Sequence, residues 1–200
     1  MQEENFSPEQ SLSVIQSMIE KAKNAYSENG HLYLIWGWVV FLCSIAQFVL
    51  IKFVQYEKHY VVWFACWLVV IYQMYYLRKK GKQRKATTYA DRMMGYTWVS
   101  FFILMMLVGL AIGQSGEVNM QKLVGPLFLA LYGMPTFLSG LLLRFRPLVI
   151  GGIGCWILSV ATLVVPYDYH LLLLAVAMVI AWIIPGYILR AKFKNSFNGK

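Results

Sequence analysis

The sequence contains long stretches that lack charge altogether. Six apolar stretches of 18 or more residues contain no Asp, Glu, Lys or Arg, although the chain carries 18 Lys and Arg and 9 Asp and Glu. An unpaired charge in hydrocarbon costs at least about 2.5–3.5 kcal/mol, so membrane spans exclude charge unless function requires it. Hydrophobic residues make up 59% of the chain, against roughly 45–50% in soluble domains. These features exclude an ordinary soluble domain and predict an all-α polytopic membrane protein.

The same lack of charge excludes much chemistry. An intramembrane protease, a phosphatase or a proton-coupled carrier ordinarily shows Asp, Glu, His or Lys inside its spans. The acidic and histidine residues of the connections, including Asp168 and His170, have neither metal-ligand nor triad spacing. We therefore expect no enzyme, no cofactor and no metal site.

Cysteines are few, and no cleavable leader is recognisable. Cys43, Cys66 and Cys155 each lie within an apolar stretch without metal or disulfide spacing, which predicts small apolar packing residues. Residues 1–30 have no apolar segment followed by a small-residue cleavage pattern, so we expect no removable signal peptide. The first span would then act as the uncleaved anchor.

The apolar stretches predict six transmembrane helices. A span needs about 20 apolar residues, and we place the six at residues 32–51, 60–77, 93–115, 123–143, 147–167 and 171–189. Residues 1–31 then form an N-terminal segment, 32–189 the membrane domain and 190–200 a basic tail.

Cations are divided unevenly between the two sets of connections. The N-terminal segment, the second and fourth connections and the tail hold 15 Lys and Arg, whereas the other three connections hold 3. Because cation-rich short loops stay in the cytoplasm, this division predicts a multi-pass membrane protein with both termini in the cytoplasm.

Residues 7–30 have the pattern of an amphipathic helix. Ser7 is a suitable N-cap, Pro8 suits the first helical position, and Gln10 completes a capping box. Gly30 supplies a stop. Residues 1–30 carry five Glu and two Lys, so a helix binding anionic lipid, which is normally rich in Lys and Arg, is disfavoured.

The connection between the second and third predicted spans is strongly basic. Its cations include Arg78, Lys79, Lys80, Lys82, Arg84 and Lys85. We hypothesise that the acidic N-terminal helix docks over this loop or onto a cytoplasmic protein partner, the alternative being a solvated interfacial helix. The cluster could also attract lipid headgroups. Nucleic acid is not expected, because no aromatic interleaving accompanies the cations.

The fourth predicted span has the most unusual centre. Gly133 and Pro135 interrupt it, and Tyr132 and Thr136 add polar groups. Broken helices at the bilayer centre form substrate sites in many transporters, although Pro and Gly are common in membrane helices generally. These residues, with the embedded amides Gln47 and Gln73, are the candidate ligand-binding set, and a structural kink is the alternative.

Small residues predict close helix contacts. They are Gly109 and Gly113 in the third span, Gly151, Gly152 and Gly154 in the fifth, and Ala177 and Ala181 in the sixth. Such faces fit a homo-oligomer and packing within one chain equally well.

Two stretches carry a family resemblance: NGHLYLIWGWVVF at residues 29–41 and ATTYADRMMGYTWVSF at residues 86–101. The chain resembles uncharacterised six-span inner-membrane proteins of Bacteroidetes-type bacteria. The resemblance implies an N-terminal amphipathic helix followed by six spans, and it implies no site residues.

We therefore expect a non-enzymatic membrane protein that acts as an interaction, sensing or accessory subunit through helix packing and its cytoplasmic face. Membrane lipids would be its constant partners. The alternative is a small transporter or channel-like protein for a neutral or small solute, with its site at the fourth span. A continuous polar cavity reaching Gly133 would favour that alternative.

Overall fold

A computed structural model describes Leu12 and residues 30–83, 89–115 and 122–198, and every regular element in these ranges is helical. The elements are α1 (His31–Val49) with a π-helical continuation (Leu50–Val54), a 3-10 turn (His59–Trp63) leading into α2 (Phe64–Gln83), α3 (Tyr89–Ser115), α4 (Val124–Leu142), α5 (Arg146–Ala161), a second 3-10 turn (Tyr167–Tyr169), α6 (His170–Met178), a π-helical segment (Val179–Ile183) and α7 (Ile184–Asn198). The predicted N-terminal helix lies outside the described residues, apart from Leu12 and Gly30. Of the predicted tail, residues 190–198 form the end of α7.

Five helical segments are long and apolar enough to cross a membrane: His31–Val54, His59–Lys79, Asp91–Gln114, Val124–Leu142 and Tyr167–Asn195. The all-α, multi-pass prediction is confirmed for these five. Only 6% of the apolar window of the second segment and 11% of that of the third are buried in the protein. Their apolar surfaces therefore face outward, as lipid-exposed helices do.

The fifth predicted span is shorter than the sequence pattern indicated. The apolar pattern predicts a span over residues 147–167, but α5 ends at Ala161 and is only 16 residues long. A helix usually ends before the residue that precedes a proline, because the proline ring disfavours helical backbone there. Pro166 provides that stop, although Leu163 and Val164 before it are apolar and exposed.

The turn between α4 and α5 explains why these two helices pack closely. Arg144 has a φ of 50°, in the left-handed region, and the amide of Phe145 donates to the carbonyl of Gly140 at 2.8 Å. This six-to-one bond is the pattern of a Schellman helix end. Pro147 then stands in the first turn of α5, where a missing N–H costs nothing. The chain reverses within a few residues.

Contacts at both ends show that neighbouring helices run antiparallel. The amide of Gln47 in α1 bonds to Trp63 just before α2, whereas His31 at the start of α1 bonds to Tyr72 far along α2. In the same way, Ser159 near the end of α5 bonds to the carbonyl of Pro126 near the start of α4.

The remaining helices complete the alternation. Tyr33 packs on Trp98 and Trp36 packs on Phe102, so α3 runs in the direction of α1. Phe101 packs on Tyr132, whereas Gly109 further along α3 lies near the earlier Phe128, so α4 runs back. Lys52, near the end of the α1 segment, pairs with Asp168, before α6. The six helical segments therefore alternate in direction. We call one end of the bundle the Gly30 end and the other the Asp168 end.

The described cations lie at the two ends as the sequence pattern predicted. Three of them lie at the Asp168 end: Lys52, Lys58 and Lys122. The others lie in terminal turns of helices, or in the turn between α4 and α5, at the Gly30 end: Arg78, Lys79, Arg92, Arg144, Arg146, Arg190, Lys192 and Lys194.

The helical irregularities lie in the first and last segments rather than in α4. Helix α4 runs without interruption through Gly133 and Pro135. The π-helical segment Val179–Ile183 instead precedes Pro185. Because proline has no amide hydrogen, the carbonyl of Ala181 loses its usual helical partner, and this is where the regular α-helical ladder gives way.

Small residues bring α5 against α4 and the last segment. A Cβ added at Gly151 would lie 2.6 Å from the Cα of Ala181, and one added at Gly152 would lie 2.7 Å from the Cβ of Phe137. The close contacts predicted for Gly151 and Gly152 in α5 and for Ala181 in the last segment are confirmed. The prediction was wrong for α3 as far as the described residues show: none of them lies within 4 Å of a Cβ added at Gly113, and at Gly109 the nearest is the tip of Phe128 at 3.8 Å. The space beside Gly109 is a cavity.

A candidate ligand-binding cavity

A cavity of about 760 Å³ lies between α1, α2, α3, α4 and α6. This volume is within the roughly 300–1,000 Å³ of ordinary ligand pockets. Aromatic side chains contribute much of its wall: Trp36, Tyr60, Trp63, Trp67, Phe102, Phe128, Tyr132 and Tyr167. Aliphatic and sulfur-containing side chains, including Val70, Met105, Met106 and Leu174, fill most of the rest. The wall is suited to an apolar molecule.

Most of the cavity lies in the half of the bundle toward the Asp168 end, and on α1 its wall continues to Trp36 in the other half. Its wall on α4 runs from Val124 to Tyr132, which is about 12 Å at 1.5 Å per residue. The hydrocarbon core of a bilayer is about 30 Å thick. Measured along α4, the cavity is therefore about as deep as one leaflet.

The two embedded glutamines bind to tryptophan side chains that line the cavity. The Oε1 of Gln47 accepts a hydrogen bond from the Nε1 of Trp63 at 2.6 Å, and its amide nitrogen lies 2.9 Å from the Nδ1 of His59. The Oε1 of Gln73 accepts from the Nε1 of Trp36, also at 2.6 Å. Both bonds join α1 to the α2 segment. Because an unpaired buried amide costs about 1–3 kcal/mol, these two hydrogen bonds hold the α1 and α2 sides of the cavity wall together.

A layer of packed rings closes the cavity toward the Gly30 end. The ring of Tyr132 lies 5.2 Å from that of Trp182 and 5.3 Å from that of Phe101, and Trp98 lies 5.7 Å from Trp182. Trp182 is 1% exposed, and its Nε1 donates to the Oγ1 of Thr136 at 2.8 Å. We call Phe101, Trp98, Tyr132 and Trp182 the aromatic floor.

The six residues predicted for a ligand site fall into separate groups. Gln47 and Tyr132 line the cavity, and Gln73 supports it through Trp36. Gly133 instead faces α5, where an added Cβ would overlap the indole of Trp156.

The other two members of the predicted set are packing residues in α4. Pro135 and Thr136 are fully buried, and the hydroxyl of Thr136 also donates to the carbonyl of Tyr132 at 2.8 Å. The cavity therefore reaches Tyr132 and not Gly133, and its wall is apolar rather than polar.

The predicted basic cluster is described only in part. Arg78 and Lys79 are exposed in the last turns of α2, and Lys80 and Lys82 continue its backbone. Arg84 and Lys85 lie outside the described residues. Arg78 and Lys79 are at the Gly30 end, so they are separated from the cavity by the aromatic floor.

His170, at the rim of the cavity, has a structural task that the sequence did not reveal. Its Nε2 lies 3.0 Å from the carbonyl oxygen of Thr162 and 3.1 Å from that of Val165. Since both neighbours are acceptors, Nε2 must carry a hydrogen and donate. The amide that would normally bond to Thr162 belongs to Pro166, which has no N–H. His170 thus satisfies carbonyls left free where α5 ends.

Most of the lining was missed because its side chains have no chemical signature. A signal does exist in the spacing. Trp67 and Val70 share one face of α2 with Trp63 of the preceding turn, and Phe102, Met105 and Gly109 share one face of α3. Without a partner helix in view, such stripes are indistinguishable from ordinary packing faces.

No protein-family model matches the chain, and no curated protein or solved structure matches it.

Proposed function

We propose that this chain is a non-enzymatic protein of a bacterial inner membrane that binds an apolar ligand in its cavity and serves as a sensing or accessory subunit. The cavity carries the proposal. A lined space of about 760 Å³ with an almost wholly apolar wall offers burial, which contributes roughly 25 cal/mol per Å² of apolar surface. It offers little with which to select a polar solute.

The packing of α4 favours binding over transport. A transport route from the cavity toward the Gly30 end would have to part the aromatic floor, in which Trp182 is held by Thr136. Gly133, the centre of the alternative transport site, is in close contact with α5. Transport therefore has no observation in its favour among the described residues.

Photolabelling with a compact apolar diazirine, such as an adamantyl derivative, tests ligand binding. We expect labelling of Phe128 and Leu174 that saturates and is displaced by an excess of the unlabelled compound. Gly109→Phe should abolish that saturable labelling, because its ring projects into the cavity. Gly113→Phe is the matched control, since it lies one turn further along α3 and does not line the cavity. Labelling that never saturates, or that is equal in both variants, would contradict the proposal.

Our proposal includes six crossings with both termini in the cytoplasm. Helix α5 covers about 24 Å at 1.5 Å per residue, so the apolar residues Leu163 and Val164 would complete the crossing. Irregular backbone at that depth needs cover from protein, and His170 supplies it. The alternating directions and the cations at the Gly30 end support the same arrangement.

Cysteine labelling in intact cells tests this topology. In a variant without the three native cysteines, a membrane-impermeant maleimide should modify Lys122→Cys and Tyr167→Cys. It should leave Arg144→Cys unmodified until the cells are opened. Modification of Tyr167→Cys from the same side as Arg144→Cys would show that α5 does not cross.

The cytoplasmic face would provide the contact through which the subunit acts. In this proposal residues 1–30 bind a cytoplasmic partner or the basic loop after α2. Deletion of residues 1–30 should release a partner that copurifies with the full chain. Retention of every copurifying protein would remove the N-terminal segment from the proposal.

A further inference from the structure

We infer that the cavity holds one hydrocarbon chain of a membrane phospholipid from the leaflet at the Asp168 end. The inference rests on the proposed function, since it names the class of the apolar ligand. Trp67 on α2 and Met106 on α3 both line the cavity, and each is 54% exposed. Lining residues with more than half of their surface exposed border an opening, so the cavity opens sideways between α2 and α3.

That opening faces hydrocarbon. Trp67 lies eight residues after His59, about 12 Å along the helical path at 1.5 Å per residue. Leu68 and Ile71 beside it are 70% and 65% exposed. In a bilayer whose apolar core is about 30 Å thick, the molecules bordering such an opening are lipid chains. No other apolar molecule is present at comparable density.

The shape of the cavity also fits a chain. It extends from a rim at Tyr60 and Tyr167 to the aromatic floor at Tyr132, and its depth along α4 is about half the hydrocarbon core. A lipid chain that enters sideways therefore keeps the depth and direction of its neighbours in the leaflet. Its headgroup stays at the level of the rim tyrosines, where amphipathic rings normally lie.

The rim does not select a charged headgroup. Asp168 is the acidic residue of the lining, and its Oδ2 pairs with the Nζ of Lys52 at 3.1 Å. This pair neutralises itself, and as a half-exposed ion pair it contributes only about 0–1 kcal/mol. Recognition therefore depends on the chain rather than on the headgroup.

The test uses phospholipids that carry a diazirine on one chain, in vesicles containing the full-length protein. A diazirine near the chain end should label Tyr132, and one near the ester should label Tyr60 or Tyr167. Exchange of a choline headgroup for ethanolamine or glycerol should leave the labelling yield unchanged. A reversed order of labelling, or a yield governed by the headgroup, would overturn the inference.

Variants of α3 and a comparison of the two probes distinguish failure of the lipid inference from failure of the proposed function. Gly109→Phe should reduce labelling of Tyr132 about tenfold, whereas Gly113→Phe should retain it. Met106→Trp, which narrows the opening, should slow labelling of Tyr132 in case the first variant does not fold. If lipid chains label only outward residues such as Leu68 while the compact diazirine still labels the cavity, the lipid inference falls and the proposed function stands. If neither probe labels the cavity, both fall.

Discussion

Replacement of His170 by Phe should destabilise the protein by removing a hydrogen-bond donor from the end of α5. His170 is 8% exposed, and its Nε2 donates to the carbonyl oxygens of Thr162 and Val165 at 3.0 and 3.1 Å. Phe keeps most of the ring's shape and volume, so the loss of the donor dominates the change. Because Pro166 has no amide hydrogen, the backbone cannot replace the lost bond to Thr162.

The expected loss can be bounded from both sides. Leaving a buried polar group unsatisfied costs about 1–3 kcal/mol, whereas membrane-embedded hydrogen bonds average about 0.6 kcal/mol in double-mutant cycles. Two carbonyls share this one donor, and the turn that holds them can relax. We therefore expect about 2 kcal/mol, which for a chain of this size is a fall in Tm of roughly 4–8 °C.

Thermal unfolding of the purified protein, followed by circular dichroism in one detergent, measures this change. His170→Gln should recover part of the loss, since its amide can donate. Asp168→Asn is the matched control two residues away, because it breaks only an exposed ion pair and should cost less than about 1 kcal/mol. If His170→Phe unfolds at the wild-type temperature, or if Gln is no better than Phe, His170 does not act by donating to these carbonyls.

Two further substitutions test the packing around the cavity. Gly125→Ala should cost about 1–3 kcal/mol, because the added Cβ would lie 2.5 Å from the Nδ1 of His170. Gly113→Ala should not lower Tm, because no described residue lies within 4 Å of its Cβ. Equal Tm values for the two variants would mean that the rim yields without cost. Thr136→Val should cost about 1–3 kcal/mol by leaving the indole of Trp182 without an acceptor. Thr97→Val should cost less, because among the described residues the Thr97 hydroxyl donates to the carbonyl of Met93 in its own helix. A smaller loss for Thr136→Val than for Thr97→Val in the same Tm measurement would show that the indole finds another partner.

The helices could be predicted well because their signal is local. Absence of charge over a span is a property of consecutive residues, and it placed five crossing segments to within a few residues at most termini. The fifth predicted span was too long because apolar residues such as Leu163 and Val164 continue past the helix end. The end of α5 is therefore set by Pro166 and not by the end of the apolar stretch.

Only part of the candidate site could be predicted. Gln47, Gln73 and Tyr132 attracted notice because amides and hydroxyls in hydrocarbon need partners, and all three belong to the cavity wall or its support. Gly133 and Pro135 were predicted as site residues because both residue types break helices. In the structure Gly133 packs against α5 and Pro135 is fully buried. Packing of α5 against α4 explains that difference, and this contact is not local in sequence.

The sequence by itself determined that the chain forms apolar helices, and it determined which ends of those helices carry the cations. Both follow from the cost of placing charge in hydrocarbon, which acts on each residue separately. Only the tertiary structure decided where the helices part. Gly109 and Gly113 share one helix and look alike in sequence, yet Gly109 lines the cavity whereas Gly113 contacts no other helix among the described residues. The reason is that a cavity is bounded by several helices at once, so no single stretch of chain records it.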